Sequence, residues 1–190
     1  MPTADRYPFA TLPDLLGPDL HVVFVGINPS SYSVARGHYF ARRTSRFWPA
    51  FSRSRLSAPV RAALGRDQLQ PEDDVLLPAY GFGFTDLVKV PSSNASSVAP
   101  ADYQEWAPRL LARLEPVRPR VVCFHGAMAY RPFARFVLGL EARAVVHGPQ
   151  SAKLAGARIY LAPNPSPANA HFRLEDQIAA YDGLADFLVE

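Results

Sequence analysis

The segment Gly26-Ile27-Asn28-Pro29-Ser30 follows a short apolar run, His21 to Val25. Glycine lets a backbone approach a ligand closely, and proline stiffens the turn after it. Between them stands an amide side chain that both donates and accepts hydrogen bonds. An amide takes up no proton near neutral pH, so Asn28 cannot serve as a general base. On local pattern alone the segment also fits a plain Asn-Pro turn after a strand. Asp86, within Gly81-Phe82-Gly83-Phe84-Thr85-Asp86-Leu87-Val88, is the only acid between Asp74 and Asp102 and falls near the end of an expected strand. It is a candidate catalytic carboxylate, against the alternative of a helix-cap or salt-bridge carboxylate.

Aromatic and cationic residues follow the first segment. Gly37-His38-Tyr39-Phe40 leads into Arg42, Arg43 and Arg46, then Phe47-Trp48. Interleaving of this kind suits a pocket that stacks a base while cations hold phosphates. Phe40 is the candidate stacking ring, with Ile27, Ser33 and His38 around it; Phe47 and Trp48 read as helix core. No Asp or Glu occurs between Leu20 and Arg66, a stretch that holds eight arginines. The net charge of the whole chain is only +3. A one-sided stretch inside a nearly neutral chain points to a polyanionic partner, against a solvated arginine-rich surface.

Several classes fall away. A single cysteine, Cys123, builds neither a disulfide framework nor a four-cysteine metal site. The five histidines show no metal-ligand spacing, and there is no Gly-Lys-Ser phosphate loop. No metal or organic cofactor is expected. No run approaches 18 apolar residues and Met1 to Leu20 holds no apolar signal core, so no membrane association is expected. The expectation is a cytoplasmic monomer, nucleoid-associated in a bacterium, with residues 1–190 as one domain and 1–19 as an irregular arm.

The elements that must position these residues alternate in type. Strands are expected at His21–Val25, within Gly81–Val90, and at Arg120–Phe124, Arg143–Val146 and Arg158–Ala162. Helices are expected at Arg46–Leu56 with Ser45 as a cap, within Ala58–Leu76, and at Ala101–Leu114, Ala127–Leu138 and Leu174–Val189. Pro91 to Ala99 reads as a polar loop. Such alternation implies a three-layer α/β/α sandwich with a central, mostly parallel sheet. Ligands of such folds sit beyond the carboxyl ends of the strands. Two expected strands run into Asn-Pro-Ser, at Asn28-Pro29-Ser30 and Asn164-Pro165-Ser166, so both loops should face one cleft.

Gly26-Ile27-Asn28-Pro29 with the Gly37–Phe40 loop and Arg46-Phe47-Trp48 resembles the first motif of the uracil-DNA glycosylase superfamily. The likeness is strongest to its mismatch-specific uracil and thymine branch. Gly81–Val88 resembles that branch's middle segment, and Pro163-Asn164-Pro165-Ser166 its second motif. The matches occur in family order between Val22 and Tyr181. The resemblance implies hydrolysis of the N-glycosidic bond of uracil in G·U mismatches, with the nucleotide flipped out of double-stranded DNA. It makes Asn28 the water-positioning residue, with Asp86 as the expected helper in activating that water, and Phe40 the stacking ring. It sets Ser166 near the flipped nucleotide's backbone, and Pro167, Ala168, Asn169 and Ala170 where the family wedges the duplex. Alanine is a poor plug there, so single-stranded DNA is an alternative substrate, or His171 or Phe172 just downstream takes the wedge's place. Two other readings stay open: a glycosylase for hypoxanthine, xanthine or alkylated cytosine, and a non-catalytic module that binds DNA damage.

Overall fold

A computed structural model describes residues 7–141, 144–154 and 156–189. Among the described residues the sheet has five strands: β1 (Val22–Gly26), β2 (Phe82–Asp86), β3 (Val121–His125), β4 (Gly148–Leu154) and β5 (Ala157–Ala162). Their order is β2-β1-β3-β5-β4. β1 runs parallel to β2 and β3, and β3 parallel to β5; β4 alone is antiparallel, against β5. The helices are α1 (Ser31–Arg36), α2 (Phe47–Arg53), α3 (Ala58–Leu64), α4 (Pro100–Leu114), α5 (Ala127–Leu138) and α6 (Leu174–Val189). The architecture is the expected mostly parallel sheet flanked by helices.

Strand periodicity explains the layers. Every residue of β1 is buried, as in a parallel strand covered on both faces. Val22 and Phe24 point into a core with Phe47 and Phe51 of α2, Val60 of α3, and Tyr181 and Leu184 of α6. Val23 and Val25 point the other way, into a core with Trp106 and Leu110 of α4 and Phe133 of α5. Phe24 is ringed by Phe47, Phe51, Phe82 and Tyr181 with centroids 5.3–6.1 Å apart, mostly edge to face, the preferred approach of aromatic quadrupoles.

One expectation needs correction. The strand expected at Arg143–Val146 is not there: Arg143 lies outside the described residues, and Ala144 to Val146 form no strand. The strand is β4, which begins five residues later, at Gly148. Its burial alternates residue by residue, as an edge strand packed on one face must, and Pro149 and Lys153 are typical edge residues. The short helix expected within Ala58–Leu76 is α3. α3 ends at Gly65 in the left-handed region (φ 63°), and a separate 3-10 turn spans Pro71–Tyr80. The six-residue α1, capped by the Ser30 hydroxyl, has no counterpart among the expected elements.

The described part of the arm packs against the domain. Tyr7 and Phe9 lie against Trp106, and Leu15 exchanges two backbone hydrogen bonds with Phe84 of β2, at 2.9 and 3.0 Å. The arm thus covers the free edge of β2, which would otherwise expose unpaired backbone groups.

Candidate functional site

The order β2-β1-β3-β5 reverses direction between β1 and β3, and there the carboxyl ends of four parallel strands open a cleft. Its volume is about 730 Å³. Asn28 follows β1, Asp86 ends β2, His125 ends β3 and Asn164 follows β5; all four line it.

Asn28 is held by the loop after β2. Leu87 and Val88 donate to the carbonyls of Gly26 and Ile27 at 2.9 Å, and Ser31 donates to Ser92 O at 3.1 Å. The two loops are thereby zipped together. Asn28 Nδ2 donates to Val90 O at 3.0 Å and to Ser92 Oγ at 2.8 Å. A backbone carbonyl only accepts, so the nitrogen end of the amide must face Val90. That leaves Asn28 Oδ1 as an acceptor with a fixed direction. Ser92 lies in the polar loop to which the sequence assigned no role, although its hydroxyl orients the amide.

Asp86 is 4% exposed, and its Oδ2 is buried with no hydrogen-bond partner. Burial first, and the Asp14 charge second among the raising effects, lift its pKa to about 7 against the pull of Lys89 and Arg113. Both cations are committed elsewhere. Lys89 Nζ, fully buried, donates to Asp14 Oδ1 at 2.7 Å, and Arg113 Nη1 donates to Asp14 Oδ2 at 3.0 Å. Burial would raise the Asp14 pKa, but these two cations hold it below the usual value. Arg113 Nη2 meets Asp86 only at its backbone carbonyl, at 2.9 Å. The arm's carboxylate absorbs the buried positive charge and leaves Asp86 balanced near neutrality. Its side chain lies against Gly26, where a Cβ would fall 2.4 Å from Asp86 Oδ1.

Phe40 sits in the left-handed region, with φ 53°, a costly conformation for an aromatic residue. Its neighbours enforce it. Asp74 Oδ2 accepts the Tyr39 N–H at 2.7 Å, Trp48 Nε1 donates to Tyr39 O at 2.9 Å, and Ser33 Oγ accepts the Ala41 N–H at 3.3 Å. One face of Phe40 is stacked on Phe47 at 4.3 Å and 12°, and its ring stands edge to face with His125 at 5.3 Å. Phe40 also lines the cleft, so the stack can be extended by one more flat ring. His125 is 1% exposed, its Nε2 hydrogen-bonded to Tyr181 Oη at 2.9 Å, and burial lowers its pKa to about 3. It is a neutral wall of the pocket at pH 7.

The second loop is clamped from α2. Arg46 N–H donates to Pro165 O at 2.9 Å, and Arg46 Nη2 donates to Ser166 O at 2.5 Å and Asn169 O at 2.7 Å. Asn164 Oδ1 accepts the Ser166 N–H at 3.0 Å, which turns the loop back toward the cleft.

Of the residues singled out from sequence, Asn28, Asp86, Ile27, Ser33, Phe40, Arg42, Ser166, Pro167, Ala168 and Asn169 line one cleft. His38, Arg43, Arg46 and Ala170 are not among the lining residues. His38 Nδ1 pairs with buried Asp74 at 2.9 Å, so the ring supports the Phe40 loop from outside. Arg46 was expected as a phosphate contact, but its Nη2 grips the second loop. The arginine-rich stretch is also partly neutralised: Arg55 pairs with Asp186 at 2.7 Å, and Arg66 with Asp73. Arg42 and Arg43 remain exposed, Arg42 beside the Tyr32 ring at 5.7 Å. Sequence reasoning missed Ser92, Asn164 and His147 as lining residues; the repeated Asn-Pro-Ser was the available signal for Asn164.

The family model of the uracil DNA glycosylase superfamily matches residues 13–185. The fold is similar to the solution NMR structure of a candidate uracil DNA glycosylase from Methanosarcina acetivorans. The TM-score is 0.58 at 19% identity, over 95% of this chain and 98% of that one. At that identity the likeness speaks for the fold alone.

Proposed function

Since this chain belongs to the uracil DNA glycosylase superfamily, we propose that it is a DNA-repair glycosylase that hydrolyses the N-glycosidic bond of uracil in G·U mismatches. The observation that carries this reading is that the oriented amide of Asn28, the uncompensated carboxyl of Asp86 and the open stack of Phe40 line one cleft. The flipped uracil extends the Phe40–Phe47 stack. Asn28 Oδ1 accepts one hydrogen bond from a water molecule and aims its oxygen at C1′. The C1′–N1 bond breaks with its electron pair leaving on uracil N1, the water oxygen bonds to C1′, and the water's proton passes to Asp86. An ionised Asp86 also stabilises the positive charge that builds on the sugar. The products are free uracil and an abasic site.

The test is a duplex carrying one G·U pair, incubated with the protein and then treated with alkali. Strand scission at the uracil, reduced by roughly 10²-fold or more in Asn28→Ala, supports the reading; no scission overturns it. Matched duplexes with A·U, G·T, hypoxanthine, xanthine or alkylated cytosine establish whether mismatched uracil is the preferred substrate.

Arg42 and Arg43 are exposed cations that follow the pocket loop, and Arg42 lines the cleft. Each phosphate contact contributes about 0.9 to the slope of log K against log salt. Replacing both by Gln is expected to flatten that slope by about 2, as read by fluorescence anisotropy between low and physiological salt. An unchanged slope places the phosphates elsewhere.

A further inference from the structure

The N-terminal arm reaches the cleft as well as the edge of β2. Thr11 Oγ1 donates to Lys89 O at 2.6 Å, and Tyr39 Oη donates to Pro13 O at 3.0 Å. Leu12, between them, is buried and lines the cleft. Asp14 follows and gathers donors from β2, the loop after it and α4. Its Oδ1 accepts from Thr85 Oγ1 and from Lys89 Nζ, both at 2.7 Å, and its Oδ2 accepts from Arg113 Nη1 at 3.0 Å. Arg113 Nη1 also donates to Thr85 Oγ1 at 2.9 Å. A guanidinium only donates, so the Thr85 hydroxyl hydrogen is left for Asp14. Asp86 Oδ2, one residue along β2, has no hydrogen-bond partner.

The charges that act on Asp86 come from three elements. After burial, the largest effect on its pKa is the downward pull of Lys89; Asp14 raises it and Arg113 lowers it. Burial would raise the Asp14 pKa too, but its two cations hold it below the usual value, so Asp14 stays ionised where Asp86 titrates. Tyr39, from the pocket loop, adds no charge: burial first, and the Asp86 charge next, raise its pKa well above the ordinary value. Gly26, which faces Asp86 from β1, has none to add. Without Asp14, two buried cations would be left with Asp86 as the carboxylate that acts on them. We infer that Asp14 is a positioning residue: by holding Lys89 and Arg113 it keeps both cations off the Asp86 carboxyl and leaves that carboxyl able to take a proton. The catalytic meaning of this role rests on the glycosylase reading, but the control of charge requires no hydrolysis.

The test reads Asp86 first without catalysis. In the full chain labelled with carbon-13 at the aspartate carboxyls, the Asp86 signal is identified by its absence in Asp86→Asn and followed against pH by NMR. The wild type is expected to titrate near pH 7. Asp14→Asn removes an anion and is expected to titrate about one pH unit lower; Lys89→Met removes a cation and is expected to titrate about one unit higher. The double variant restores the balance of charge and should return near the wild type. The midpoint of single-turnover uracil release should move in the same directions. The plateau rate of Asp14→Asn should fall, because a carboxylate held by cations is a weaker proton acceptor. Damage to the fold lowers a rate but does not move the midpoint in opposite directions in the two variants. If Asp14→Asn does not fold alone, Lys89→Met and the double variant carry the same test, since adding Asp14→Asn must then lower the midpoint. Midpoints that stay at the wild-type value, or move the same way in both single variants, overturn the proposal. Opposite NMR shifts in a protein that releases no uracil would sink the glycosylase reading and leave Asp14 as the residue that sets the charge of Asp86.

Discussion

Asp86→Asn is expected to lower single-turnover release of uracil by roughly 10²-fold or more at pH 8 and, at the same pH, to make the protein more stable. The two effects share one cause. Asp86 is buried with Oδ2 unpartnered, and its pKa is raised to about 7. In the unfolded chain it titrates near about 3.9. Between those values the folded state keeps a proton that the unfolded state has released, so stability falls as pH rises from about 4 to about 7. The full penalty, on the order of 4 kcal/mol, is present above the folded pKa. Asn has the same shape and carries no charge, so it escapes that penalty. Its effect on Tm should be small at pH 4 and largest at pH 8. Catalysis has the opposite sign, because only the ionised form accepts a proton. The wild-type rate should rise with pH about a midpoint near 7, and the Asp86→Asn residual rate should lack that step. Full turnover in Asp86→Asn would end the assignment of Asp86 as the proton acceptor. A Tm difference that does not grow with pH would show that Asp86 is not held protonated by the fold.

Gly26→Ala adds one methyl group and should cost both function and fold. The new Cβ would stand 2.4 Å from Asp86 Oδ1, closer than non-bonded atoms come. The backbone cannot easily yield, because Gly26 is in register with Asp86 in the parallel pair and its carbonyl accepts the Leu87 N–H at 2.9 Å. The Asp86 side chain must turn away or β1 and β2 must part. We expect a loss of about 1–3 kcal/mol in urea unfolding, typical of overpacking, and a fall in turnover comparable to that of Asp86→Asn. The collision can be isolated by a double-mutant cycle. In an Asp86→Ala background the carboxyl group is gone, so Gly26→Ala should add little further destabilisation. The same cost in both backgrounds would show that the methyl group strikes something else.

Much of this arrangement was legible before any coordinates. His21 to Val25, Arg120 to Phe124 and Arg158 to Ala162 read as buried strands because central parallel strands are apolar on both faces. β1, β3 and β5 lie there. β4 was misplaced because an edge strand such as Gly148–Leu154 packs one face only, and its sequence lacks the apolar run that marks the others. Asn28, Phe40 and Asp86 stood out by residue type and position, and they do share a cleft. Their partners did not stand out. Ser92 is 64 residues from Asn28, Asp14 is 75 from Lys89 and 99 from Arg113, and Asn169 is 123 from Arg46.

By itself, then, the sequence determined the layers, the mostly parallel sheet, the two Asn-Pro-Ser loops at strand ends and an excess of arginine around the first of them. Those features depend on periodicity and local turn chemistry, which act over a few residues. Only the tertiary structure decided which arginines are free and which are spent on Asp73, Asp186 or a loop carbonyl. It also decided that Asp14 takes the charge of Lys89 and Arg113, and that Asp86 is consequently left poised near pH 7. The reason is that charge compensation and desolvation depend on distance in space and on burial, and chain separation carries almost no information about either.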